Sequence, residues 1–122
     1  GIILDRGSAD IYSPKVIRST MGSIYRVPFI YTDDLHQTIG EVKKQGIHLY
    51  AAHLKGKHNY EEENYTGPSG FLIGNEANGL TEETAALADA WVRIPMAGKV
   101  ESLNAAVAAS VLLFETARQR RQ

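Results

Sequence analysis

The stretch with the clearest chemical potential is Gly74-Asn75-Glu76-Ala77-Asn78-Gly79-Leu80-Thr81. Two glycines five apart, followed by a threonine, come close to the loop that cradles nucleotide phosphates. Leu80 stands where such a loop carries its phosphate-binding lysine, so the cradle lacks its cation and nucleotide hydrolysis is disfavoured. The plainer alternative is a tight strand-to-helix turn in which glycine supplies a positive φ. A second segment, Ile94-Pro95-Met96-Ala97-Gly98-Lys99-Val100-Glu101-Ser102-Leu103-Asn104, leads from an apolar run into an apolar helix. Taken alone it is a loop ending in a helix cap.

The histidines invite a metal reading, with Glu61-Glu62-Glu63 close to His58. His48 and His53, an odd number of residues apart on one strand, fall on opposite faces. No His-Glu-x-x-His pattern is present. These are therefore read as surface histidines, and no metal is expected.

Those segments need elements to position them. Ile2-Ile3-Leu4 suits a buried strand. Ser13-Pro14 supplies a cap followed by proline at the first helical position, predicting a helix to about Met21 with Gly22 closing it. Val27–Tyr31 reads as a strand with Pro28 at its start or on an edge. Asp34, with Gln37 three residues on, caps a helix that Gly46 stops. Ile47–Ala52 is the next strand, and Lys55–Ser69 a polar loop or hairpin long enough to suggest function. Phe71–Ile73 is a strand, Thr81 caps a short helix, and Trp91–Ile94 is the last strand. From Leu103 to Phe114 the final helix is apolar on nearly every side, as in a core or an interface.

Strands alternating with helices at this spacing predict an α/β domain with a mainly parallel sheet and flanking helices. Ligands in such sheets bind outside the carboxyl ends of the strands, which directs attention to the loops after Ala52, Ile73 and Ile94.

The bulk numbers narrow the class. A length of 122 residues suits one compact domain, 1–122. The absence of cysteine excludes a disulfide scaffold or thiolate zinc site and fits a reducing, cytoplasmic setting. No apolar run approaches the roughly 20 residues that span a bilayer, so no membrane is expected. The opening residues lack the pattern of a signal peptide. With 13 basic against 14 acidic residues, composition gives no support to nucleic-acid binding, and the dense basic run is Arg118–Arg121.

The pairing of GNEANGL at Gly74–Leu80 with IPMAGKVESLN at Ile94–Asn104 closely resembles motifs 2 and 3 of the SpoU/TrmH RNA ribose 2′-O-methyltransferases, in the SPOUT superfamily. Ser13–Phe29 (SPKVIRSTMGSIYRVPF) resembles the family's preceding segment, so the likeness covers essentially the whole chain. It implies a C-terminal trefoil knot, S-adenosylmethionine as cofactor, and a homodimer formed around the knot. The implied reaction is methylation of a ribose 2′-hydroxyl in ribosomal or transfer RNA. Cofactor contacts carried over by the motifs fall on Gly74, Ile94 and Leu103, with a further one at Ala52.

Glu76 is a candidate for positioning in catalysis, or else stabilises the following helix. Lys15, Arg18 and Arg26 are candidates for RNA phosphate contact, or else form a solvated helix face. Ser102 and Asn104 are polar supports of the loop or caps of the final helix. The family's motif 1, an asparagine and a catalytic arginine on a strand–helix unit, has no match here. The expectation is that 1–122 is the C-terminal part of the catalytic domain, inactive or weakly active alone. The alternative is a non-catalytic RNA- or cofactor-binding module of the same knotted fold.

Overall fold

A computed structural model of the chain describes residues 1–8, 10–75, 79–98 and 104–122. Strands and helices mostly alternate along them, except that the strands His48–Ala52 and His58–Asn59 follow each other with no helix between, and every strand pair among them is parallel. The parallel α/β reading therefore holds, with the strands divided between two sheets in two compact units, 1–38 and 39–122.

In the first unit, β1 (Ile2–Asp5) pairs with β2 (Phe29–Thr32), Ile2 opposite Phe29 and Asp5 opposite Thr32. Helix α1 (Pro14–Ser19) connects them, capped by Ser13, whose hydroxyl accepts from Val16 N at 3.3 Å. The helix ends two residues before the expected Met21, because Met21 is already left-handed at φ +50° and Gly22 follows at +88°. Pro28 lies just ahead of β2, where a missing N–H costs nothing. The apolar run of β1 is not buried as expected: Ile2 and Ile3 are 47% and 41% exposed. Among the described residues β1 pairs with β2 alone, so burial on both faces does not follow from its sequence.

Helix α2 (Leu35–Lys44) carries the chain into the second unit. Asp34 Oδ1 accepts from Gln37 N at 3.1 Å at its start, and Gly46 takes a φ of +81° just past its end. Here the sheet has the order β4-β6-β3-β5. β3 (His48–Ala52) lies between β5 (Ser69–Leu72) and β6 (Ala90–Arg93). Leu49, Tyr50 and Ala51 on that inner strand are all buried. Thr81 caps α3 (Glu82–Ala85) through Thr84 N at 3.1 Å, and Trp91 Nε1 donates to Ala85 O at 2.7 Å, joining the helix to β6.

The polar stretch 55–69 is neither an open loop nor a hairpin. It holds β4 (His58–Asn59), which pairs in parallel with β6, and a 3-10 turn at Tyr60–Glu62. Its Tyr65 is fully buried, in a core with Tyr50, Val92 and Leu112. Tyr65 meets Tyr50 edge-on at 4.9 Å and Phe71 at 5.2 Å, and its hydroxyl donates to Tyr60 O. Burying rings of this size contributes roughly 1.5–3 kcal/mol each, enough to make a polar segment part of the core. Burial, chiefly, also pushes the Tyr65 phenol pKa well up.

Helix α4 (Ala105–Arg120) begins at Asn104, whose side chain accepts from Ala106 N at 2.9 Å and Val107 N at 3.3 Å. Its last turn holds the same stretch from outside. Gln119 accepts from Tyr65 N at 2.7 Å and donates to Glu63 O at 2.9 Å, while Arg120 donates to Tyr65 O at 3.0 Å and Gly67 O at 2.8 Å. Leu112 is buried on the core side. Leu113 and Phe114, at 60% and 75% exposure, face outward, so the chain itself covers one side of this apolar helix.

Candidate functional site at the strand ends

Parallel pairing puts the carboxyl ends of β5, β3 and β6 on one edge of the sheet. Ala52 closes β3 opposite Val92, and Ile94 follows two residues beyond Val92. On the other side Ala51 pairs with Leu72, and Gly74 follows two residues beyond Leu72. Three positions singled out from sequence thus emerge from three adjacent strands at one edge. Ala52, Ile73 and Ile94 are partly buried there, packed against the Tyr50–Tyr65–Val92–Leu112 core. The apolar character of this edge is continuous with the core.

Gly74 is required by the loop's own backbone. A Cβ at this position would lie 2.2 Å from the carbonyl carbon of Gly79 and 2.3 Å from Leu80 N. Gly79 N donates to Asn75 O at 2.9 Å and takes a φ of +64°, closing the loop back onto its start. Neither clash is with a flexible side chain, so a methyl group would force the two backbone segments apart. Gly56 does the same for the loop after β3: a Cβ there would lie 2.7 Å from the carbonyl carbon of Val92. At Gly74 and at Gly56 the chain therefore lies tightly against neighbouring backbone, and both positions depend on glycine to do so.

His53 continues the edge, its N–H donating to Val92 O at 2.9 Å. Its ring stacks on Trp91 at 4.2 Å with planes 27° apart, and its Nδ1 accepts from Lys55 N at 3.1 Å. His53, expected from sequence to be a surface histidine, is half-buried beside Ala52. The signal that could have found it is register: Ala51 pairs with Trp91, and His53 comes two residues later on the same face. His48 packs on Tyr50 at 4.7 Å, and His58 Nδ1 lies 2.9 Å from Glu63 Oε1. Among the described residues no cluster of three potential metal-binding side chains forms.

At the opposite end of β3 lies Asp89, whose carboxylate accepts from Leu49 N at 2.8 Å and sits 3.4 Å from Lys43 Nζ. Burial pushes its pKa up, but those hydrogen bonds and the Lys43 charge outweigh it and hold the group below the usual range. This is a pin for the sheet, far along the strand from Ala52.

The candidate phosphate contacts Lys15, Arg18 and Arg26 are exposed in the first unit, the first two on α1 and Arg26 just past the 3-10 turn Ser23–Tyr25. Glu76, Ser102 and Leu103 lie outside the described residues. Asn104 is a helix cap, as one of its two expected roles required.

Comparison with known proteins bears on what this edge is for. The family model described as the SpoU rRNA methylase family matches residues 1–114. A tRNA (guanosine(18)-2′-O)-methyltransferase of Thermus thermophilus is 46% identical over 88 residues, covering 71% of this chain and 45% of that protein. A 23S rRNA (uridine(2479)-2′-O)-methyltransferase of Streptomyces viridochromogenes is 36% identical over 125 residues, covering 98% of this chain and 44% of its own length. The crystal structure of the SpoU methyltransferase AviRb from that organism, in complex with AdoMet, superimposes with a TM-score of 0.89 at 36% identity, covering 97% of this chain and 49% of that one. The chain thus spans about half the length of these relatives. With the family model matched over nearly all its residues and the fold shared at this level of identity, the chain belongs to the SpoU rRNA methylase family.

Proposed function

We propose that residues 1–122 form a SpoU/TrmH-like domain of an S-adenosylmethionine-dependent methyltransferase acting on a ribose 2′-hydroxyl in ribosomal or transfer RNA. The observation that carries this reading is the convergence of Ala52, Gly74 and Ile94 at the carboxyl ends of three adjacent parallel strands. Ligands of α/β sheets bind at such an edge. The residues present fit the cofactor. Ala52, Ile73 and Ile94 give an apolar, small-to-medium lining suited to an adenine ring, and Gly74 brings backbone close where a side chain would intrude. Leu103 completes the set by family resemblance.

When bound, the cofactor supplies an electrophilic methyl group on a sulfonium. The protein's task is to hold the 2′-hydroxyl in line with that methyl and to assist loss of its proton. Lys15, Arg18 and Arg26 are the candidates for RNA phosphate contact, and Glu76 the candidate for positioning beside the methyl donor. The close approach of backbone at Gly74 and Gly56 favours a preformed site. A knotted C-terminal segment, a homodimer and a cytoplasmic setting belong to the same proposal. The dimer is supported by the outward apolar residues Val107, Leu113 and Phe114 of α4, 47%, 60% and 75% exposed.

A tritiated-methyl transfer assay of the complete gene product on bulk unmodified ribosomal and transfer RNA tests the activity. Label at ribose 2′-oxygens is expected. Protein that binds the cofactor yet transfers no methyl to either RNA pool would contradict the enzymatic reading and favour a binding module.

A further inference from the structure

We infer that Tyr25 is a stacking platform for an unpaired RNA base, with Arg18 and Arg26 holding the adjoining phosphates. This rests on the RNA-directed reading above and deepens it. The first unit contains four aromatic rings besides histidine. Three are engaged with one another or with backbone: Tyr12 meets Phe29 edge-on at 5.9 Å, Phe29 meets Tyr31 at 6.4 Å, and the Tyr31 hydroxyl accepts from Ile11 N at 3.0 Å. Tyr25 is 85% exposed.

The backbone beneath it is held. Met21 at φ +50° is a left-handed non-glycine residue, a conformation that costs about 1–2 kcal/mol, and Gly22 follows in the same region. The reversal is fixed by Ser23 N donating to Thr20 O at 2.9 Å, Arg26 N to Ser23 O at 2.9 Å and Val27 N to Ser23 O at 3.0 Å. Tyr25 therefore stands on a short, tightly bonded turn, with little order left to be acquired on binding. Met21, 90% exposed, starts that turn.

Charge selects the occupant. From Ser13 to Thr32 the sequence carries Lys15, Arg18 and Arg26 and no carboxylate, in a chain whose net charge is −1. Arg26 is the neighbour of Tyr25, and Arg18 O accepts from Met21 N at 3.3 Å at the start of the reversal. An exposed ring beside cations in an acid-free segment suits a nucleotide, which presents a π-face and a phosphate together. A paired base keeps its faces within the helix, so the fit is to a single strand, loop or bulge.

The test is fluorescence anisotropy with a labelled single-stranded oligoribonucleotide of about ten nucleotides, within the range such sites occupy, and with its duplex. Tyr25→Ala is expected to weaken single-strand binding on the order of tenfold with little effect on the duplex. Tyr25→Phe should retain the affinity. The dependence on salt separates the roles: Arg18→Gln should flatten the log–log slope by about 0.7, while Tyr25→Ala should leave it unchanged. Circular dichroism establishes that the variants are folded. Wild-type affinity in Tyr25→Ala, equal loss in Tyr25→Phe, or no single-strand binding by the wild type would overturn the assignment. So would intact RNA affinity with a changed mass in light scattering, which would make Tyr25 a protein contact. Cofactor binding measured separately by calorimetry reports on the methyltransferase reading, so the two can fail independently.

Discussion

The two sheets use similar apolar runs to opposite effect. β3 reads HLYAA, and its Leu49, Tyr50 and Ala51 are at most 4% exposed between β5 and β6. β1 and β2 read IILD and FIYT, yet Ile2, Ile3 and Ile30 are 41–56% exposed in a two-stranded sheet. Among the described residues β3 has a strand on each side while β1 and β2 have only each other, and the exposure of their apolar side chains follows that difference.

The largest expected effect separates the two regions by stability. Tyr65→Ala removes a fully buried ring and should cost about 3–5 kcal/mol, as large-to-small changes in cores do. Ile30→Ala in the exposed sheet should stay within about 0.5 kcal/mol of wild type, as surface changes do. Urea titration of both variants measures the contrast, and similar losses would break it.

A smaller effect concerns the helix that closes the buried region. If α4 carries the proposed dimer interface, Phe114→Asp should leave the fold intact and yield a monomer in light scattering at micromolar concentration where wild type is dimeric, since Phe114 is 75% exposed on α4. A dimer surviving this change would move the interface elsewhere. Smaller again is the contribution of Glu115, which accepts from Arg118 Nη2 at 2.7 Å and Nε at 2.8 Å and from Gln119 at 3.1 Å. The hydrogen bond from Arg118, then that from Gln119, holds its pKa down to about 2 from 4.5. A depressed carboxylate stabilises above its unfolded value and loses that contribution as pH falls through the folded one. The stabilisation, up to about 1 kcal/mol for a pair with solvent access, should therefore disappear between pH 4.5 and 2. In Glu115→Gln that part of the acid-unfolding curve should flatten, and an unchanged curve would remove Glu115 from the account.

Local signals in the sequence were reliable where chemistry is local. Ser13, Asp34, Thr81 and Asn104 cap the helices that follow them, because a cap needs only a side chain and the next turn. The succession of strands and helices pointed to parallel strands, and the motif resemblance singled out Ala52, Gly74 and Ile94, which share one sheet edge and whose contact with the cofactor is a proposal. What sequence missed depends on distant partners. Tyr65 sits in a polar run and is buried only because β3, β5 and α4 meet around it. His53 is drawn in by Trp91, which follows it by many residues and meets it through strand register. Gly74 was expected to make room for a ligand, and the structure adds a second reason, the crossing of Gly79 and Leu80 against its α-carbon.

The central claim is that the edge formed by Ala52, Gly74 and Ile94 receives S-adenosylmethionine. Isothermal titration of the cofactor into wild type, Gly74→Ala and Leu103→Asp tests it most directly. Gly74→Ala drives a methyl group into the Gly79–Leu80 backbone, and Leu103→Asp puts a carboxylate at the position that family resemblance assigns to the adenine, where an unpaired charge is costly. The account predicts saturable binding by wild type and no measurable binding by either variant, with circular dichroism unchanged. Equal affinity in all three proteins, or no binding by wild type, would contradict it.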